Sequence, residues 1–165
     1  MIPGVDRRSV AAHADARGSL RELWRGSVQP FRPQQLIVST SVAGTLRGMH
    51  VHFRQSDLLY VVGGRVFMAL VDLRSEPHAK EELWLDADET LRIPPGVAHG
   101  YAATEAATVM YLLDHESDGS DEFGFSWADS DAAIAWPVRE PILSDRDRSA
   151  GSLWSAVALA RTRLG

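Results

Sequence analysis

Short runs rich in β-branched and aromatic residues recur through the middle of this chain, separated by turn residues at roughly 8–12-residue intervals. They lie at Ser19 to Trp24, Gln35 to Thr40, around His50, Asp57 to Val62, Arg65 to Leu73, Glu82 to Leu85, Thr90 to Ile93, His99 to Ala103 and Thr108 to Leu113. Many short strands with turns between them are the pattern of an all-β sandwich or barrel. Asp15-Ala-Arg-Gly18 reads as a turn, and Gly63-Gly64 as a hairpin between two strands. Residues 1 to 14 read as irregular, Pro30 and Pro33 mark a connector, and Asp114 to Asp121 reads as an acidic loop. Leu153, Ala156, Val157, Ala160 and Leu164 fall on one face of a helix, expected to pack on the outside. With 165 residues and no repeat, linker or low-complexity segment, residues 1–165 are expected to form one domain.

Composition removes several function classes. The chain has no cysteine, which excludes disulfides, a thiol nucleophile and a thiolate metal site. A net charge of −5 argues against nucleic acid as a partner. Lys80 is the only lysine and sits in a loop rich in Pro, His and Glu, a poor place for Schiff-base chemistry. The start of the chain has no apolar run to act as a signal peptide, and no stretch approaches the roughly 20 apolar residues of a membrane span. The expectation is a cytoplasmic protein without a membrane partner.

Chemistry concentrates in two stretches. His50 and His52 are two residues apart, so on a strand both point to one side. Ile93-Pro-Pro-Gly-Val-Ala-His99-Gly-Tyr101 brings a third histidine after a rigid turn. The order Gly44, His50-x-His52, Asp57, Gly64 and Pro94-Pro-Gly96-x-x-His99 resembles the two cupin motifs, with Asp57 where glutamate is usual. Three imidazoles and a carboxylate suit Fe(II), Mn(II), Ni(II) or Zn(II). His50, His52, Asp57 and His99 are therefore one candidate metal set, and a cupin-type fold without metal is the other reading.

A second resemblance covers about residues 15 to 150. Asp15-Ala-Arg17-Gly18-x-x-x-Glu22, Gln35, Leu46-Arg-Gly-Met-His50, Val71-Asp-Leu-Arg74, the His99 segment, Met110-Tyr111, Trp127-Ala-Asp129, Ala135-Trp-Pro137 and Pro141-Ile-Leu-Ser144-Asp-Arg-Asp147 occur in order. Together they resemble the dTDP-4-keto-6-deoxyhexose 3,5-epimerases. That resemblance implies a cupin-type (jelly-roll) β-barrel with a short C-terminal helix, a homodimer, no cofactor and no metal. It implies epimerisation at C3, C5 or both on a nucleotide-linked, dTDP-type, 4-keto-6-deoxy sugar. His50 would be the base, Asp147 its orienting partner and Tyr111 a proton donor. Arg47 and His99 would line the pocket, while Arg17, Glu22 and Gln35 would contact the nucleotide sugar. Removing a proton beside a ketone requires such a base, a stabiliser for the enolate, and an acid on the other ring face.

This chain also departs from the family. Asp57 stands where the family has a lysine that holds the enolate. Ser117 stands where a second tyrosine is usual, and His52 where glutamine is common. With one proton-return route weakened, the expectation is a reaction at one carbon only or on another nucleotide sugar. Two of the changes complete the cupin metal set, so a metal-dependent cupin enzyme remains open, as does a non-catalytic sugar-binding cupin.

Overall fold

In the computed structural model, which describes residues 2–29 and 31–164, twelve strands and two helices follow one another. Met1, Gly165 and the connector's Pro30 lie outside the described residues. The strands are β1 (Asp6–Ser9), β2 (Ala12–Asp15), β3 (Gly18–Arg21), β4 (Gln35–Ser41), β5 (Leu46–Val51) and β6 (Asp57–Gly63). They continue with β7 (Arg65–Asp72), β8 (Lys80–Asp86), β9 (Glu89–Ile93), β10 (Val97–Ala102), β11 (Ala107–Leu113) and β12 (Phe123–Gly124). The helices are α1 (Asp145–Arg148) and α2 (Leu153–Leu164). No helix among the described residues is long and apolar enough to cross a membrane.

Ten strands form two five-stranded antiparallel sheets, ordered β1-β9-β6-β11-β4 and β12-β5-β10-β7-β8. The jelly roll expected from the sequence is thus two sheets with separate hydrogen-bonding ladders. Leu59, Val61 and Val109 of the first sheet meet Met68, Leu70 and Tyr101 of the second in one buried cluster. The second sheet is covered on its other face as well. Met49, Val51, Ala69, Val71 and Ala98 pack there against Phe125 and against Leu153, Ala156, Val157 and Ala160 of α2. Burial on both faces explains why β7 reads as an unbroken apolar run instead of an alternating one. At about 25 cal/mol per Å² of apolar surface, this second covering is a substantial part of the stability of β5, β7 and β10.

Three sequence expectations are corrected. Asp6–Ser9 pairs with β9 and Ala12–Asp15 pairs with β3, so two strands run through a stretch read as irregular. Those strands are mostly exposed and polar, so they carry no apolar alternation to read. Gly63-Gly64 does not close a hairpin: β6 lies in the first sheet and β7 in the second. Here the chain crosses between sheets. Gly64 takes φ +74°, and a side chain would collide with the Ala106 carbonyl. Finally, Leu164 stays 42% exposed, so the apolar face of α2 ends one turn earlier than its periodicity implies. The Asp15–Gly18 turn is found as expected, with Ala16 and Arg17 at the tip of the β2–β3 hairpin.

One close approach positions the site. Gly48 has φ +136°, and a Cβ there would lie 2.6 Å from Gly100 Cα. Only glycine lets β5 and β10 come this near. Their register sets His50 directly opposite His99, with an irregularity between His99 and Tyr101.

Candidate active site

A cavity of about 230 Å³ opens between the sheets. The second sheet contributes Arg47, His50 and His99; the first contributes Asp57 and Tyr111. His52, one residue beyond the end of β5, lines the same cavity as His50, as the two-residue spacing implies.

His50 stands at the open side, its side chain 25% exposed. Its Nε2 is 2.6 Å from Oδ1 of Asp147, a contact spanning 97 residues of sequence. The segment before α1 is laid against β5 by a bridge between Ile142 and Thr45. Ser144 caps α1, its hydroxyl accepting from the Asp147 N–H at 3.1 Å. Burial works to raise the Asp147 pKa, but the hydrogen bond and charge of His50, with Ser144, outweigh it and hold the carboxyl below its ordinary value. An ionised Asp147 accepts a hydrogen bond from His50 Nε2–H, so in the neutral ring the lone pair is on Nδ1.

Deeper in the cavity lies a second arrangement. His99 Nε2 is 3.1 Å from Asp57 Oδ2, and His52 Nε2 is 4.0 Å from the same oxygen. Asp57 and His99 are among the most buried polar groups of the protein. Burial opposes charge on both. Even so, their mutual hydrogen bond holds the Asp57 carboxyl below its usual range and raises the His99 imidazolium above its own. His52 moves the other way, since burial dominates and favours its neutral form.

Tyr111 faces this group from β11. Desolvation, followed by Tyr101, pushes its phenol well above the ordinary tyrosine value, so it keeps its proton. Tyr101 in turn bonds the Ser41 hydroxyl at 2.9 Å, and Arg47 Nε donates to the same hydroxyl at 3.2 Å. Arg47, Ser41, Tyr101 and Tyr111 thereby form one network along the wall.

Of the sequence candidates, His50, Asp147, Tyr111, Arg47 and His99 come together here. Arg17 and Glu22 do not. Arg17 pairs with Asp15 at the exposed hairpin tip, and Glu22 pairs with Arg25. Gln35 reaches the rim indirectly, its Oε1 accepting from the Ser117 N–H at 2.7 Å, and Ser117 lines the cavity. The four-residue metal set is brought together in part. His52, Asp57 and His99 converge, with donor atoms within 4.8 Å of one another, whereas His50 is turned to Asp147.

Sequence reasoning missed Asp121 and Gln55. The Asp121 carboxylate accepts from the Phe53 and Arg54 N–H groups at 3.1 and 2.8 Å, and its carbonyl accepts from His52 Nδ1 at 2.8 Å. Gln55 donates to Asp57 at 2.6 Å. The one signal was the acidic loop, which binds back onto the turn between His52 and Asp57 instead of lying free.

A lone-pair imidazole on one sheet and a protonated phenol on the other suit an acid–base isomerase on a cupin-type fold. Residues 1–155 match the family model described as dTDP-4-dehydrorhamnose 3,5-epimerase, and the chain belongs to that family of isomerases. It is 34% identical over 169 residues to the dTDP-4-dehydrorhamnose 3,5-epimerase of Mycobacterium tuberculosis, covering 92% of this chain and 84% of that one. A Shigella flexneri relative of the same name is 35% identical over 118 residues, 66% of this chain and 65% of its own. Among solved structures, a 3'-monoepimerase from Streptomyces bikiniensis in complex with dTDP-quinovose superposes with a TM-score of 0.86 at 29% identity, covering 94% of this chain and 87% of that one.

Proposed function

We propose that this enzyme inverts a carbon beside the ketone of a dTDP-linked 4-keto-6-deoxy sugar, with His50 as base and Tyr111 as acid. The observation that carries the roles is the 2.6 Å His50–Asp147 contact across the cavity from Tyr111. The two groups belong to different sheets, so a flat enolate between them would lose its proton to one side and regain one from the other. Asp147 fixes the His50 tautomer and supports the imidazolium that forms when the base takes the proton. Arg47 and His99, whose imidazolium form Asp57 favours, would face the developing oxyanion. The substrate class is supported by the dTDP-sugar bound to a related structure. Ser117 supplies no second phenol, so we assign inversion to one carbon only.

We also infer a homodimer. Leu36, Val38 and Val42, on and just after the edge strand β4, leave apolar side chains exposed, a surface that pairing with a second copy would cover. We assign the β2–β3 hairpin to the partner's cavity in such a dimer, where Arg17 and Glu22 would contact the nucleotide. The deciding experiment is NMR of a dTDP-4-keto-6-deoxy sugar with the protein in D2O. Deuterium at C3 or C5 with inversion is expected. Binding without any exchange would reduce the protein to a sugar-binding module.

A further inference from the structure

We propose that His52, Asp57 and His99 form a site for one divalent transition-metal ion on the cavity floor, separate from the His50–Asp147 pair. The donor atoms are His52 Nε2, Asp57 Oδ2 and His99 Nε2, all within 4.8 Å of one another. Metal–ligand bonds of about 2.0–2.2 Å place neighbouring donors about 3 Å apart. The 3.1 Å between His99 and Asp57 already has that value, and His52, now 4.0 Å from Asp57, closes by about an ångström when the ion enters.

The surroundings mark this as a built site. Every ligand has its other heteroatom held by the protein. His52 Nδ1–H donates to the Asp121 carbonyl at 2.8 Å, and His99 Nδ1–H donates to the Val97 carbonyl at 3.2 Å. Asp57 Oδ1 accepts from Gln55 Nε2 at 2.6 Å. Those bonds fix both histidines with Nδ1 protonated and Nε2 turned to the common point, and they leave Asp57 Oδ2 facing that point. Outer partners of this kind orient metal ligands generally. The three side chains are buried and line the cavity, so an ion held by them would be open to a molecule in that cavity.

Two imidazoles and one carboxylate suit Zn(II), Fe(II), Mn(II), Co(II) or Ni(II) rather than Mg(II) or Ca(II). The ion would take the place of the direct His99–Asp57 contact. Because His50 is committed to Asp147, the ion and the base coexist, which the four-residue set did not allow. The charge would lie within reach of a ketone oxygen, where a Lewis acid polarises the carbonyl. That use rests on the epimerase reading; the binding itself does not.

The test is titration of chelator-stripped full-length protein with Co(II), read by calorimetry and by visible d–d absorption. One equivalent is expected, with bands of low coordination number. His52→Ala should abolish those bands. Gln55→Ala, which removes only a hydrogen bond to a ligand, should weaken binding about 10–100-fold. His50→Asn should bind Co(II) like the wild type. Absence of saturable binding to the folded wild type overturns the site, and so does binding that Gln55→Ala leaves unchanged. If His52→Ala fails to fold by thermal melting, Gln55→Ala decides. Solvent exchange into a dTDP-4-keto sugar is measured in parallel on stripped and loaded protein. Its absence in both, beside tight Co(II) binding, removes the epimerase reading and leaves the metal site standing.

Discussion

Two histidine–aspartate arrangements share one cavity, and they differ in how many heteroatoms stay free. At the opening, His50 is a quarter exposed and has one nitrogen committed to Asp147. On the floor, the His52 and His99 side chains are each 9% exposed, and Asp57 ties them together. Each floor residue has its outer heteroatom bonded to Asp121, Val97 or Gln55. The same two residue types therefore serve different ends. A base must gain and lose a proton in each cycle, which needs one held nitrogen, one free nitrogen and access to the substrate. A fixed set of converging donors holds a charge or an ion in place and gains from burial. Exposure and hydrogen-bond bookkeeping, not residue identity, separate the two.

The largest expected effect tests the opening. His50→Asn should slow deuterium exchange by about 10²–10⁴-fold while the sugar still binds. Exchange near the wild-type rate would assign the base elsewhere. Asp147→Asn should slow exchange less, and in the His50→Asn background it should add almost nothing, because the pair acts as a unit. Multiplicative losses in the double variant would break the pairing. A third substitution separates acid from base. Tyr111→Phe should reduce net inversion by about tenfold or more while exchange continues, since proton removal does not need the phenol. Equal loss of both would place Tyr111 in the first step. A fourth test concerns the hairpin. Arg17→Ala should weaken sugar binding about tenfold, roughly one charge-assisted hydrogen bond. Mixing it with His50→Asn should restore one good site per heterodimer. Failure to complement would confine each site to its own chain.

Much of this was legible in the sequence, for identifiable reasons. Strands from Gln35 to Leu113 carry β-branched and aromatic runs between turns, and most of them lie where expected. The polar strands β1 and β2 bury neither face, so composition gave no pattern to read. Gly63-Gly64 looks like a hairpin because a turn between sheets and a turn within one use the same residues. His50 and His52 were placed on one side by spacing alone, yet spacing cannot say which way a ring turns. The residue that decides this, Asp147, lies 97 positions away and became visible only through resemblance to a family. Asp121 was hidden for a related reason, because its role is a set of bonds to backbone N–H groups, which leave no trace in the residues that they bind.

The smallest effect is thermodynamic, and it distinguishes the opening pair by pH. The Asp147 carboxyl has a folded-state pKa below its ordinary value. Burial pushes it up, but His50, Ser144 and Arg146 together push it further down. A carboxyl that ionises more readily when folded stabilises the folded state fully above its unfolded-state pKa of about 3.9. That contribution fades as pH falls below this value and through the folded pKa, because the folded state must then take up a proton that it resists. Asp147→Asn lacks the charge at every pH. The thermal midpoint of the wild type should therefore exceed that of Asp147→Asn at pH 6, and the gap should narrow as pH drops below about 4. A gap that stays constant down to pH 2 would mean that Asp147 contributes through shape and hydrogen bonding alone, and that its charge does not reach His50. Since supporting an imidazolium requires that charge, such a result would also weaken the case for Asp147 as the partner of the base.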